Sequence, residues 1–359
     1  MLKIIHGADF HLDSPFSGLS PEQAVQRREE QRELLDRLAA LARDRQADLV
    51  LLAGDLLDSE RVYRETALAL SRALGAIPCP VFISPGNHDF YAPRSVWTAL
   101  DWPDNVHIFS SGALEQVDLP GCVLWGRAFT GPRQDTCPLE GLAVPDDGRA
   151  HIACLHGAVG PDSGYGPISP GDIAASGLDY LALGHIHQAS GLQREGSTYW
   201  AYPGCPEGRG FDELGEKGVL YVEAEPGHVA AQFVPLAKRR YAVITADISG
   251  PAGALDAILD ILPGKTSDLI CRLVLTGESE PPDLAGLEQT LSPEFYSLSL
   301  LDRTRLPRDL WARRGEDSLT GLFLGAMWEM GQADPDDPIC QLALRYGLAA
   351  LEDGEEVCP

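Results

Sequence analysis

The chain is short of positive charge. Across 359 residues, 28 Lys and Arg face 53 Asp and Glu, a formal net charge of −25. That balance counts against nonspecific adhesion to DNA, which needs cationic side chains to displace condensed counterions. It leaves room for a local basic or metal-charged groove, because binding depends on how charge is distributed. Only four of the basic residues are lysine. Arginine suits bidentate phosphate contacts, although a codon bias explains the skew at least as well. Long apolar runs are missing too: none approaches the ~18 residues of a membrane span. The start, Met1-Leu2-Lys3-Ile4-Ile5-His6-Gly7, turns polar too early for a secretion signal and reads as a first strand. Eight cysteines occur (Cys79, Cys122, Cys137, Cys154, Cys205, Cys271, Cys340 and Cys358), none in a C-x-x-C pair. Reduced thiols and a cytoplasmic setting are therefore expected. No internal repeat or low-complexity tract is found.

What is present is a 44% apolar, 23% charged chain, enough for one large core and a smaller module. Short apolar runs alternate with polar, helix-like stretches over the first 240 residues. Strands are predicted at Leu2–His6, Leu49–Ala53, Val81–Ser84, Val123–Gly126, Ile152–His156, Tyr180–Leu183, Thr198–Ala201 and Gly218–Val222. A helix is predicted from a Ser20 cap, with Pro21 at its first position and Gln23 completing a capping box, to about Arg45. Another covers about Arg64–Leu74. Strand-helix-strand order at the start implies parallel pairing, and the later strands imply a second, mixed sheet. A break falls at Pro235-Leu236-Ala237-Lys238-Arg239-Arg240. Beyond it, Tyr241–Ile248, a helix at about Ala252–Leu262 and Asp268–Leu275 read as a small α+β module. From Ser318 two helices are expected, the first capped by Asp317 or Ser318 and closed by Gly331, the second opened by Asp337 and Pro338. Leu319, Leu322, Phe323, Ala326, Met327 and Met330 recur at helical spacing for packing on this chain or on a partner.

Five clusters carry chemistry, each just after a predicted strand: Asp9-Phe10-His11, Gly54-Asp55-Leu56-Leu57-Asp58, Gly86-Asn87-His88-Asp89, Leu155-His156-Gly157 and Gly184-His185-Ile186-His187. Strand-end loops present ligands to one crevice in an α/β scaffold. Carboxylates, imidazoles and an amide oxygen bind divalent ions such as Mn, Fe or Zn. Each cluster alone has a plainer explanation: a capped loop beside a surface histidine, a turn before a helix, a satisfied core histidine. Five in this order, holding five of the nine histidines, point to one metal centre.

In order and spacing the clusters resemble the calcineurin-like metallophosphoesterases, across residues 1–240. Gly54-Asp55-Leu56-Leu57-Asp58-Ser59, Tyr202-Pro203-Gly204-Cys205-Pro206 and Gly215-Glu216-Lys217-Gly218 resemble the bacterial SbcD and YhaO exonuclease group, with the YhaO type the nearer of the two. The resemblance implies two metal ions. One takes Asp9, His11, Asp55 and His187; the other takes Asp55, Asn87, His156 and His185, with Asp55 bridging ions ~3.5–4 Å apart. A water between them would attack phosphorus in line, and His88, held by Asp89, would act as general acid. Manganese is the first choice, with iron or zinc as alternatives. Two positions depart from relatives: Asp58 stands where archaeal and eukaryotic nucleases carry a histidine, and Cys205 where Ser or Asn is common. Cys205 reads as a packed loop residue.

The implied fold is a four-layer α/β sandwich of two mixed β-sheets flanked by helices (residues 1–240), with an α+β cap (241–315) and a helical C-terminal segment (316–359). The implied function is phosphodiester hydrolysis in DNA, the chain serving as the nuclease component of a repair exonuclease or endonuclease. The expected partners are DNA, an SMC-like ATPase and a second copy in a homodimer. Two other classes stand beside it: a phosphodiesterase or phosphatase of a small molecule such as a cyclic nucleotide, which the acidic charge favours, and a non-catalytic scaffold for an ATPase, which an intact ligand set opposes. Arg61, Tyr63, Arg64, Arg209 and Phe211 are candidate substrate contacts, through phosphate pairing and base stacking, with a solvated surface as the plainer alternative. The run Arg303, Arg305, Arg308, Arg313 and Arg314 is either a solvated face or a DNA or partner contact.

Overall fold

The computed structural model describes every residue except 60, 161–163, 251–252, 332–336 and 353–359. Its layers follow from the pleat, which sends successive side chains of a strand to opposite faces. Leu49–Leu52 is apolar throughout, as a strand covered on both sides must be. Val50 and Leu52 join Ile5, Val81 and Ile83 in a core with Leu34, Leu35 and Leu38 of the helix Pro21–Asp44. Leu49 and Leu51 join Ile4 and Phe82 in a second core on the opposite face. Leu124, Ile152, Cys154, Tyr180 and Ala182 enter that same core from another set of strands. The alternate residues of those strands, Ala153, Leu155, Leu181 and Leu183, meet Ile173 of the helix Pro170–Ser176 in a third core.

Both sheets have six strands and are mixed. The first runs His228–Pro235, Gly218–Glu225, Leu2–Gly7, Leu49–Leu52, Val81–Ile83, Val106–Ile108, with the last four parallel. The second runs Gln193–Glu195, Thr198–Ala201, Tyr180–Gly184, Ala150–His156, Cys122–Gly126, Glu115–Leu119, with antiparallel strands at both edges. Thr198–Ala201 joins the second sheet as expected, and only the last predicted strand, Gly218–Val222, departs from expectation. The hairpin 218–235 returns to the first sheet, where Ile4 faces Val222, because Leu2–Gly7 has a parallel neighbour on one side only. The first helix starts as its sequence predicts: Gln23 N donates to Ser20 Oγ at 3.2 Å and Ser20 N donates to Gln23 Oε1 at 3.3 Å.

His6 links the two sheets. Its Nε2–H donates to the Leu183 carbonyl at 3.1 Å, so the unprotonated Nδ1 accepts from the Tyr180 hydroxyl at 2.8 Å. Burial pushes its pKa down to about 3.

The chain divides into two compact units, Met1–Tyr241 and Ala242–Pro359. In the second, Ala246, Ile258, Leu273, Leu287 and Leu291 form a core among the strands Arg240–Asp247, Leu269–Thr276 and Ser297–Asp302 and the helices Ala254–Leu259 and Leu284–Leu291. Helices Leu319–Gly331 and Pro338–Glu352 pack through Leu324, Met327, Leu344 and Leu348, and Ser318 Oγ caps the former by accepting from Gly321 N at 3.0 Å. The expected apolar face divides: Met327 is buried and Phe323 half-buried in this packing. Leu319, Leu322 and Met330 are 73%, 71% and 70% exposed and Ala326 is exposed, whereas Leu324 is buried. This segment is apolar nearly all round, so its periodicity does not select a face. Arg303 and Arg305 line an open pocket with Thr276 and Glu278. Arg313 pairs with Glu316 at 3.4 Å, and Arg314 stands over the Trp328 ring. The Arg308 side chain lies outside the described residues. No disulfide joins the described cysteines, Cys358 lies outside them, and no described helix is long and apolar enough to cross a membrane.

Candidate metal centre

All five clusters sit at the carboxyl ends of parallel strands, from both sheets. The loop after Leu2–Gly7 is laced to the loop after Leu49–Leu52: Asp9 N donates to Gly54 O at 3.0 Å, His11 N to Asp55 O at 3.0 Å and Leu12 N to Leu56 O at 2.9 Å. Gln31 Nε2, from the first helix, donates to the Phe10 and His11 carbonyls. Asp9, His11, Asp55 and His185 all take positive φ, of 55°, 44°, 50° and 110°. Such strained backbone in non-glycine residues persists where the surroundings over-determine it, and it clusters at functional sites. Gly86 is required for space, since a Cβ there would collide with the Asp55 carboxylate.

The donor atoms converge as two groups. In the first, His11 Nε2 lies 3.2 Å from His187 Nε2. His187 Nδ1–H donates to Glu213 at 2.8 Å, so its Nε2 presents a lone pair. Asp9 completes this group, its carboxylate also accepting from His185 N at 3.0 and 3.1 Å. In the second, His156 Nδ1–H donates to Ala53 O at 2.8 Å, which turns its Nε2 lone pair toward Asn87 Oδ1 at 3.0 Å. Asp55 and His185 belong to the same group. Asp55 Oδ2 stands between the groups, 3.4 Å from His156 Nε2 and 3.8 Å from His11 Nε2.

These are electron-pair donors facing one another, the arrangement a cation holds together. Ligands each ~2.1 Å from a common ion are separated by roughly 3.0–3.5 Å, the spacing of the pairs above. Burial lowers the pKa of His11 and of His185 to about 4, so both imidazoles are neutral at physiological pH. Burial and the neighbouring Asp55 raise the pKa of Asp9 well above the ordinary carboxylate range. The residues present therefore fit divalent metal.

Residues 2–189 match the calcineurin-like phosphoesterase family. The chain is 31% identical to the Bacillus subtilis protein named uncharacterized metallophosphoesterase YhaO, over 91% of this chain and 86% of that protein. It is 28% identical to SbcD, a component of the SbcCD nuclease of Bacillus subtilis, over 64% of this chain and 68% of that one. It is 26% identical to the DNA double-strand break repair protein Mre11 of Haloferax volcanii, over 99% and 77%. The chain belongs to the calcineurin-like phosphoesterases.

Around the donors of this phosphoesterase lie Asp58, already part of the Asp55 cluster, and Glu213, Tyr165 and Phe129, which local sequence pattern did not mark. Glu213 is buried and orients His187; Asp58 Oδ1 stands 3.3 Å from His11 Nδ1. Tyr165 stacks on the His185 ring with centroids 5.1 Å apart, and Phe129 meets His156 edge-on. Glu213 lies 26 residues from its histidine, a separation with no local signature.

The expected pairing of His88 with Asp89 is corrected. Asp89 is buried, and its carboxylate accepts from Leu56 N, Leu57 N and Gly86 N at 2.7, 3.3 and 2.8 Å. The His88 ring is exposed and donates through Nδ1 to the Asp58 carbonyl at 2.9 Å. A loop turning inward at Asp89 cannot also present that carboxylate to the outward-facing neighbour. His88 N meanwhile donates to Asp55 Oδ1 at 2.9 Å. His88 also forms a third cluster with His11 and Asp58.

Among the candidate substrate contacts, Arg61, Tyr63 and Arg64 are exposed, with Tyr63 N donating to Asp13 at 2.9 Å. Phe211 is half-buried, edge-on to Tyr241. Arg209 lies beside the donor groups, its guanidinium reaching Glu213, Asp58 and, at 3.0 Å, His187 Nδ1. Cys205 is fully buried, its thiol donating to His187 O at 3.5 Å, and burial pushes its pKa up to about 12.

Proposed function

We propose that this phosphoesterase hydrolyses phosphodiester bonds in DNA with two divalent ions, manganese being the first choice and iron or zinc matching the same donors. The observation that carries the reading is Asp55 Oδ2 standing between two complete groups of donors. Asp9, His11 and His187 would hold one ion, and Asn87, His156 and His185 the other, with Asp55 shared. When bound, such a pair supplies an activated water and neutralises charge on the phosphoryl oxygens. His88 would protonate the leaving oxygen from Nε2 while the Asp58 carbonyl holds its Nδ1–H. Asp89 keeps the Asp55 and Asn87 loops in register.

DNA as substrate is supported by the names of two relatives, a nuclease component and a double-strand break repair protein. The net charge of −25 implies modest, salt-sensitive DNA affinity, or dependence on a partner. An SMC-like ATPase fits as that partner, with the exposed Leu319, Leu322, Met330 and Ile339 of the helical segment 316–359 as its docking face and residues 241–315 as a cap. The same charge favours a second reading, a small anionic diester as substrate. A cleavage assay with Mn on single- and double-stranded DNA, beside a cyclic nucleotide and an aryl phosphodiester, separates the two. We expect DNA cleavage that weakens as salt rises. Cleavage of small diesters with no DNA cleavage would overturn the DNA reading.

A further inference from the structure

The Arg209 guanidinium bridges two carboxylates, and each carboxylate serves a different part of the metal centre. Toward Glu213 the contact is doubled: Nη2 donates to Oε1 at 2.6 Å and Nε to Oε2 at 3.3 Å, while the Arg209 amide reaches Oε2 at 2.8 Å. Glu213 Oε1 is also the acceptor for His187 Nδ1–H, and Arg209 Nη2 lies 3.0 Å from that same nitrogen. Toward Asp58, Nη1 donates to Oδ1 at 3.2 Å. That Oδ1 faces His11 Nδ1 at 3.3 Å and accepts from Ser14 Oγ at 3.1 Å, and the carbonyl of the same residue holds His88. The approach of Arg209 is itself fixed. Buried Arg27 donates to Glu207 and to Gly208 O at 3.2 Å, immediately before it in the chain.

We infer that Arg209 is a positioning residue: one rigid guanidinium sets the orientation of both histidines of the first donor group and, through Asp58, the place of His88. It reaches these histidines and not His156 or His185, so it governs one ion site of the two. A planar fork with several fixed donors can hold two carboxylates at once, and a lysine ammonium is a point charge that cannot reproduce that geometry. Groups that orient metal-bound histidines typically contribute about 10- to 100-fold in metal affinity.

The inference rests on the two-ion reading, and the test separates the two. Mn is titrated into the full chain by calorimetry, with electron paramagnetic resonance reporting whether paired ions form. Wild type is expected to bind two ions and show a coupled pair. Arg209→Gln should bind one ion as wild type does and the other about 10- to 100-fold more weakly, with kcat reduced and KM for an aryl phosphodiester unchanged. Arg209→Lys should not restore the weak site. Asp58→Asn, which keeps the carbonyl on His88 but removes the ion pair, should weaken the same site and guards against misfolding of the arginine variants. Two ions at wild-type affinity in Arg209→Gln, with only KM raised, would make Arg209 a substrate contact and overturn the inference. Fewer than two ions in wild type would overturn the two-ion reading itself, and the inference with it.

Discussion

Asp89 Oδ2 accepts the backbone amide of Leu56 at 2.7 Å, and through this buried contact the loop after the third parallel strand holds the loop that carries Asp55. The same carboxylate accepts from Gly86 and Leu57, so three amides depend on it. Burial and the neighbouring Asp55 raise its pKa to about 7. Asp89→Ala would leave these donors buried and unanswered, a cost of about 2–4 kcal/mol. Thermal unfolding should show the loss in protein stripped of metal. An unchanged melting temperature would remove Asp89 from this role.

His88→Ala tests the acid. The variant should keep both metal ions and still bind DNA, while turnover on DNA falls roughly 10²–10⁴-fold, the usual range for general acid catalysis. The loss should shrink for an aryl phosphodiester, whose leaving group needs no proton. Loss of a metal ion in His88→Ala would instead make this residue a ligand, through the cluster it forms with His11 and Asp58.

His6 should make the fold acid-sensitive. Its pKa is lowered by burial from 6.5 to about 3. For a histidine held neutral in the fold, the unfolded chain binds the extra proton first. Stability is therefore full above pH 6.5 and is lost as pH falls toward 3, with a slope of up to about 1.4 kcal/mol per pH unit. Denaturant unfolding of metal-free protein from pH 7 to pH 4.5 measures it. His6→Gln should be less stable at pH 7, having lost the bonds to Tyr180 and Leu183, yet shallower in its pH dependence by about one proton. Equal slopes for the two proteins would show that His6 does not titrate between these limits.

The donor residues are legible in the sequence because each follows a short, mostly apolar strand whose end is marked by glycine, aspartate or histidine. Gly54 and Gly86 mark where backbone and carboxylate crowd together. How the supporting groups pair is not legible, for a physical reason: Arg209 meets Asp58 across 151 residues, and no periodicity encodes such a pairing. Asp89 is visible, but its direction is not, since adjacent residues in a turn point to opposite sides. The edge strand Glu115–Leu119 alternates half-buried and exposed residues and lacks the apolar run that announces the central strands. The buried face of Leu319–Gly331 is hidden because both sides of that helix are apolar.

The account turns on Asp55 as the shared ligand, so metal content is its most direct test. Wild type and Asp55→Asn, prepared with Mn and freed of excess, should be compared by elemental analysis. Two ions per chain are expected in wild type, and in Asp55→Asn neither should be held at wild-type affinity, because its Oδ2 faces both donor groups. One ion or none in wild type, or one ion kept at full affinity by Asp55→Asn, would contradict a bridged pair.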